Sequence, residues 1–514
     1  MAAYYTDVSS LPFSAIYAFS DPEDMLESFN TLIQDCIDRH APIKRIKVTR
    51  PPCPWLKTGD IQALQIQRNK LRFEAHKTSL DSIWNAFRKV RNSLKTKIKA
   101  AKRSFYQTVL SSKNSKKIWK VIHSILNPPS QPLRHDPNEL NLHFACTVQR
   151  TLGYTNNVSN NDLYAYIDSL PISTEQSFSL NKVSQAEVLK ELHNLRNDSS
   201  TGPDQIPSKY IKPVADIIAA PLTHIINSCI DANSFPSAWK ISRISSIPKT
   251  ETPKTHDDFR PIAILPVLSK IYERLVLKQQ LPFIDNCLND NMSGFRKGHS
   301  TATILMAMRD DIKSAMKKGE LTLMLLADFS KAFDTINFKT VLKKLHRLNF
   351  SHGFLYWITS YLTNRFQYVQ IDDKKSNLTP VCFGVPQGSI LGPFIFNLYV
   401  SDVDVPQTCY QYADDTSLYE HCKTAKLDQS IDNMQQSLDS LNHWSSLSNL
   451  SLNPKKTKSM LFSTAQMSRT HSLDKVKLDL ICANQEIKRE TATKLLGVIF
   501  TDHLNWNEHI KYLT

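Results

Sequence analysis

The sequence predicts an α/β fold preceded by a basic α-helical extension, on three observations. Beyond Ser200 the chain alternates helical stretches with short apolar strands as far as Phe500. Trp84, Phe87, Val90, Leu94, Ile98, Ala101, Phe105 and Val109 recur at three- and four-residue steps, which is one face of a helix. From Tyr410 to Tyr419 the chain reads as strand, tight turn and strand, with Asp414 and Asp415 at the bend.

In chain order, residues 1–50 are mixed and mildly acidic, and they end in the break Pro51-Pro52-Cys53-Pro54-Trp55. A helical pattern follows from Ile61 to about Ile125. Residues 51–130 hold 17 lysines and arginines against three acids, Asp60, Glu74 and Asp81. The whole chain of 514 residues carries +15, so nearly all of its excess charge lies in this segment. An exposed helix ordinarily mixes signs. Here Arg88, Lys89, Arg91, Lys95, Lys97, Lys99, Lys102 and Arg103 do not, which fits a polyanion better than a merely solvated face. Asn127 to Pro132 reads as a linker, and residues 133–200 as a helical region with a polar loop from Asn156 to Asp162.

Composition excludes several classes. With 41% hydrophobic and 22% charged residues, the chain is globular rather than fibrous. No stretch approaches the roughly 18 consecutive apolar residues of a membrane span, and the N-terminus lacks the order of a secretory signal. Nine cysteines are scattered without Cys-x-x-Cys pairs, which fits free thiols in a reducing compartment.

The chemistry gathers in the second half. Asp414 and Asp415 follow Tyr412-Ala413 inside an apolar, aromatic run, where carboxylates are costly unless something positive sits on them. An Asp-Asp turn alone is as readily a solvated turn, but Asp328 ends another apolar run, Leu321 to Ala327. Three aspartates converging from neighbouring strands would suit two divalent ions and phosphoryl transfer. Asp334, ahead of a helix, reads as its cap. Gly384 to Pro393 forms a rigid loop before an apolar helix, Phe394 to Val400, and Gln387 offers donors and acceptors beside Gly388. Lys249 and Arg260 are surface charges by default, but on a hairpin overhanging the aspartates they would hold a triphosphate. Ser293-Gly294-Phe295-Arg296 is a further loop with donors for phosphate or template.

Taken together, Ile247-Pro248-Lys249, Asp258-Phe259-Arg260-Pro261-Ile262, Ser293-Gly294-Phe295-Arg296, Ala327-Asp328-Phe329-Ser330-Lys331-Ala332-Phe333-Asp334, Val385-Pro386-Gln387-Gly388-Ser389 and Tyr412-Ala413-Asp414-Asp415 resemble the ordered motifs of reverse transcriptases. Leu452-Asn453-Pro454-Lys455-Lys456-Thr457-Lys458 and Leu495-Leu496-Gly497-Val498 follow in order. The set is similar to the non-LTR retrotransposon enzymes, the jockey-like group in particular, over about residues 195–510. Thr201-Gly202-Pro203-Asp204 resembles the segment that those enzymes place before the fingers.

The resemblance implies a right-hand polymerase with a split βαββαβ palm that makes DNA on an RNA template from a DNA primer or target and dNTPs. It implies Asp328, Asp414 and Asp415 as ligands of two Mg2+ ions, with Mn2+ as a substitute. Phe333 would exclude a ribose 2′-OH, and Gln387 and Gly388 would pack on the incoming nucleotide. Lys249 and Arg260 would hold the triphosphate, and Lys456 would assist pyrophosphate departure, with Lys455 and Lys458 as rivals in register. Phe295 and Arg296, and Arg88, Lys95, Lys99, Lys102 and Arg103 in the basic helix, would touch nucleic acid.

The expected divisions are residues 1–55, a remnant after a lost endonuclease; 56–130, a basic helical linker; 131–229, a helical extension; 230–500, fingers and palm; and 501–514, the start of a mostly missing thumb. An intracellular protein of cytoplasm or nucleus is expected. The rival expectation is a catalytically impaired, truncated nucleic-acid-binding remnant.

Overall fold

The structure, a computed structural model, describes residues 1–43, 53–112, 114–115, 118–119, 121–122, 135–153, 159–172, 177–250, 252–285 and 288–514. Pro51-Pro52, the linker from Asn127 to Pro132 and residues 156–158 of the polar loop lie outside these residues. The chain forms two compact units, residues 43–135 and residues 1–42 with 136–514.

In the smaller unit the basic segment, which the periodicity predicts to be helical, holds two long helices among the described residues, Gly59–Thr78 and Asp81–Leu110. The break falls at Ser79, whose φ of +53° is left-handed, so the chain folds back as a helical hairpin. Lys97 reaches Asp60 at 3.2 Å across the pair. The apolar stripe faces inward: Leu94 is buried, and Trp84 lies edge-on to His76 and Phe87.

In the larger unit the strands are, in chain order, β1 Ile241–Pro248, β2 Phe259–Ile264, β3 Leu321–Ala327, β4 Arg365–Ile371, β5 Lys374–Lys375, β6 Thr379–Val381, β7 Thr408–Tyr412, β8 Asp415–Cys422, β9 Lys458–Phe462, β10 Ile481–Cys482, β11 Gln485–Glu486, β12 Lys488–Arg489, β13 Ala492–Leu495 and β14 Val498–Thr501. The fold is mixed α/β, as expected. One sheet joins β2, β1 and β4, with β5 and β6 on β4; the second runs β12-β9-β3-β8-β7. Along the chain the second sheet reads β3, then three helices with β4, β5 and β6 inserted among them, then β7, β8, a long helix and β9, so its four main strands follow the split βαββαβ order.

The apolar run Leu321 to Ala327 is central and covered on both faces, so it needs no polar alternation. Leu321, Leu323 and Leu325 pack with Leu438 and Leu441 of the helix Leu427–Leu447. Met324 packs in a second cluster with Ile304, Met308 and Ile312 of the helix Thr301–Lys317.

Residues 1–42 belong to this unit rather than to a separate segment ending at residue 55. The helix Pro22–His40, capped by Asp21, buries Met25, Phe29 and Ile33 at four-residue steps in the same core as the helix Ala215–Asp231. By length and composition Ser208–Asp231 would pass for a membrane span. Its Ile218, Leu222, Ile225 and Ile226 are instead fully buried in that core.

Candidate active site

The acidic turn lies between β7 and β8, where Tyr412 pairs with Asp415 and only Ala413 and Asp414 make the bend. Ala413 is left-handed, with φ +55°. Behind the turn lies the Ser293-Gly294-Phe295 loop. A Cβ at Gly294 would stand 2.4 Å from the Ala413 nitrogen, so only glycine lets the two backbones meet. Ser293 N donates to the Gln411 carbonyl at 2.9 Å, Gln411 N donates to the Asn291 carbonyl at 3.1 Å, and Asn397 Nδ2 donates to the Gly294 carbonyl at 2.6 Å. The loop read as a phosphate or template contact thus braces the acidic hairpin.

Asp328 leaves β3 beside this turn, its carbonyl accepting from Asn453 N at 2.8 Å. Asp328, Asp414 and Asp415 line one cleft of about 660 Å³ together with Lys249, Arg260, Phe295, Phe333, Gln387, Gly388 and Lys456. Among the described residues Asp328 Oδ2 is out of solvent without an aligned hydrogen-bond donor, and the Lys456 ammonium lies 3.4 Å away. Burial raises the Asp328 carboxyl above its ordinary range, against the pull of Lys456. Burial, then the charges of Asp414 and Asp328, push Asp415 up to about 6. Like charges converging on a desolvated oxygen make a site short of positive charge, and a hard divalent cation with oxygen ligands answers that need. Among the described residues no three acids, histidines or cysteines are already drawn into a closed ligand set; the aspartates share the cleft instead.

Of the three candidate lysines, Lys456 faces Asp328, whereas Lys458 pairs with Glu490 at 3.7 Å. Lys249, just past the end of β1, and Arg260, on β2, lie at the end of the β1–β2 hairpin, and both line the cleft. Burial and the nearby Lys331 and Arg260 charges lower the Lys249 ammonium, so this corner is rich in positive charge. The Phe333 ring stacks on Phe396 with centroids 4.3 Å apart and meets Phe295 edge-on. Gly388, at φ +130°, lies so close to β2 that a Cβ there would sit 2.3 Å from the Ala263 carbonyl oxygen. Ala263 N donates to the Gln387 carbonyl at 2.7 Å.

Two expectations change. Asp334 caps no helix: Asn337 does, its side chain accepting from Thr340 N at 3.1 Å. Asp334 instead accepts from Gln387 Nε2 at 3.1 Å, and burial pushes its carboxyl up to about 6. Arg296 does not offer its guanidinium to the cleft. Its Nη1 donates to the Asn289 and Met292 carbonyls at 2.9 and 3.0 Å, and Nη2 pairs with Asp285 at 3.3 Å. The side chain is only 10% exposed, so it anchors the loop rather than reaching nucleic acid.

Other residues escaped sequence reasoning. Asp257 takes Lys331 at 2.8 Å and His143 at 3.3 Å, and its carbonyl accepts from Lys249 at 2.7 Å. His143, Phe144 and Thr147 line the cleft from a helical segment that lies far off in sequence. Burial, then the Arg150 charge, lowers the His143 imidazole to about 4, so it is neutral at pH 7. Glu273, fully buried, accepts from Ile390 N at 2.7 Å and Leu391 N at 3.1 Å and so seats the helix Gly392–Val400. No local pattern marks these residues, because each acts on a distant one.

In the smaller unit, described by itself, Arg88, Lys95, Lys99, Lys102 and Arg103 form the cationic face of the second helix. Lys102 lies 5.7 Å from the Trp55 ring centre.

Residues 247–513 match the reverse transcriptase (RNA-dependent DNA polymerase) family. The chain belongs to this reverse transcriptase family. It is 30% identical over 349 residues to the RNA-directed DNA polymerase from mobile element jockey of Drosophila melanogaster, covering 65% of this chain and 37% of that protein. It is 24% identical to the probable RNA-directed DNA polymerase from transposon BS of the same fly, over 97% of this chain and 59% of that one. A third relative, from transposon X-element, is 24% identical over 67% of the chain and 38% of its own length. The chain therefore spans less than two thirds of these relatives' lengths. The likeness is to reverse transcriptases of the LINE type, those of jockey elements among them. Reverse transcriptases generally work with divalent metal ions, and the oxygen-only donor set of this cleft fits one.

Proposed function

We propose that this reverse transcriptase chain is an RNA-directed DNA polymerase that adds deoxynucleotides to a primer 3′-OH. The carrying observation is convergence: the three aspartates, the cations and the aromatic gate all line one cleft. In this reading the β1–β2 hairpin belongs to the fingers and the second sheet is the palm. Asp328, Asp414 and Asp415 would hold two Mg2+ ions, or Mn2+ in their place. When bound, such ions lower the primer hydroxyl's pKa and neutralise the departing pyrophosphate.

The chain's own residues do the remaining work, which is positioning and charge neutralisation. Lys249 and Arg260 hold the triphosphate by charge-assisted hydrogen bonds. Phe333, wedged between Phe396 and Phe295, cannot swing away from a ribose 2′-OH, so it selects deoxynucleotides. The Gln387-Gly388 loop, sewn to β2, forms a wall of the nucleotide site. Lys456 supports the charge that develops on leaving pyrophosphate. The basic hairpin holds template RNA through its phosphates. An RNA template, a DNA primer or target and dNTPs are the partners, and the setting is intracellular, in cytoplasm or nucleus.

Primer extension by the purified chain tests this reading. Incorporation of dNTPs on an RNA template supports it, whereas binding of the primer-template without extension would favour a nucleic-acid-binding remnant.

A further inference from the structure

Asp334 is a carboxylate on the cleft wall to which the chemistry above gives no part. It follows directly on Phe333, in a turn laced to the Gln387 loop by main-chain hydrogen bonds. Val385 N donates to the Phe333 carbonyl at 3.0 Å, and Gly384 N donates to the Ile336 carbonyl at 2.9 Å. A Cβ on Gly384, itself at φ +75°, would stand 2.7 Å from both the Phe333 and Asp334 carbonyl oxygens. The loop is therefore held on two sides: its Gln387 carbonyl accepts from Ala263 on β2, and its Gln387 side chain donates to Asp334.

A glutamine amide has a donor end and an acceptor end of nearly equal shape, and unaided it presents either. An ionised carboxylate accepts only, so it selects the NH2 end and fixes which atoms remain for the cleft. Asn or Ala at 334 would relax that choice to different degrees. A helix cap or a plain solubilising acid would have no such effect.

We infer that Asp334 is a positioning residue for nucleotide selection: its hydrogen bond orients the Gln387 amide and ties it to the turn that carries Phe333. The ligand it serves is an incoming 2′-deoxynucleoside triphosphate. The inference rests on the polymerase reading proposed above, and it assigns to Asp334 a contribution through Gln387 rather than a contact with the reacting atoms.

Single-nucleotide incorporation on an RNA template, with dNTP and rNTP titrated separately, tests it. Asp334→Ala should raise KM for dNTP about tenfold, the loss of a hydrogen bond to a charged group, while kcat changes less. Discrimination against ribonucleotides should fall in the same variant. Asp334→Asn keeps an acceptor and should restore most of the wild-type KM. In a Gln387→Ala background, Asp334→Ala should add little, because the two act as one unit. Should Asp334→Ala not fold, Asp334→Leu keeps the branched outline of the side chain, removes the acceptor and carries the same expectation. An active wild type whose folded Asp334→Ala or Asp334→Leu variant keeps both KM and sugar discrimination overturns this inference alone. Full additivity with Gln387→Ala does the same. A wild-type chain that incorporates no nucleotide overturns the polymerase reading, and this inference with it.

Discussion

Replacing Gly388 by alanine tests how tightly the nucleotide wall is built. At φ +130° an L side chain is strained whatever the space around it, at a cost of about 1–3 kcal/mol. The new Cβ would also lie 2.3 Å from the Ala263 carbonyl oxygen, which is main chain of β2 and cannot rotate away. The loop must retreat, and the Ala263–Gln387 hydrogen bond, worth about 1 kcal/mol, is strained with it. The expected loss of stability is about 2–4 kcal/mol. Gly298→Ala is the control. Its φ is +82° and nothing lies within 4 Å of its Cβ, so it should lose only about 1 kcal/mol through backbone strain. Denaturant unfolding gives the stabilities, and primer extension gives KM for dNTP. KM should rise at least about tenfold in Gly388→Ala and stay near wild type in Gly298→Ala, since only the first moves Gln387. Equal stability losses, or an unchanged KM in Gly388→Ala, would refute the close packing of this loop on β2.

Other expectations follow from the same geometry. Phe333→Ala removes the ring stacked on Phe396 and should admit ribonucleotides, read as a fall in the dNTP-to-rNTP ratio of kcat/KM; an unchanged ratio would deny the gate. Changing Lys95, Lys99, Lys102 and Arg103 together to alanine should weaken RNA binding. It should also flatten its salt dependence by about 0.7 in log-log slope for each phosphate left without its cation, whereas an unchanged slope would leave the hairpin a solvated surface. Asp334 carries a pH signature. Its carboxyl is raised from 3.8 to about 6, so the stability it contributes is fully present below 3.8 and is lost as pH rises through 6. Asp334→Asn does not titrate there. Its stability relative to wild type should therefore climb between about pH 4 and 7, by at most about 3 kcal/mol, and a flat difference in denaturant unfolding would contradict the buried carboxyl.

Much of the site was legible because its signals are local. The apolar run Leu321 to Ala327 is β3 with the same bounds, and the strand–turn–strand reading of Tyr410 to Tyr419 falls on β7 and β8. Ambiguities that needed a third dimension stayed open in the sequence. Asp334 reads as a cap because it precedes a helix, but the helix begins later and Asn337 takes that place. Arg296 reads as a nucleic-acid contact because an arginine beside a glycine loop is usually exposed; here two carbonyls and Asp285 enclose it. The register of Lys455, Lys456 and Lys458 depends on which one β9 and its approach turn toward Asp328. The helical hairpin hid its break because Ser79 and Leu80 carry no glycine or proline signal for the left-handed turn. Residues 1–55 read as one remnant segment; that residues 1–42 pack into the main core through Met25, Phe29 and Ile33 has no mark in the local sequence, which does not say what such a stripe meets.

Asp414→Asn probes the two-metal polymerase reading at its root. The substitution preserves shape in the two-residue turn and removes one carboxylate from the cleft. Magnesium-dependent incorporation of dNTPs on an RNA template should be abolished, while RNA binding and the unfolding transition stay at wild-type values. Incorporation retained at the wild-type rate would contradict the assignment of the three aspartates as the catalytic centre.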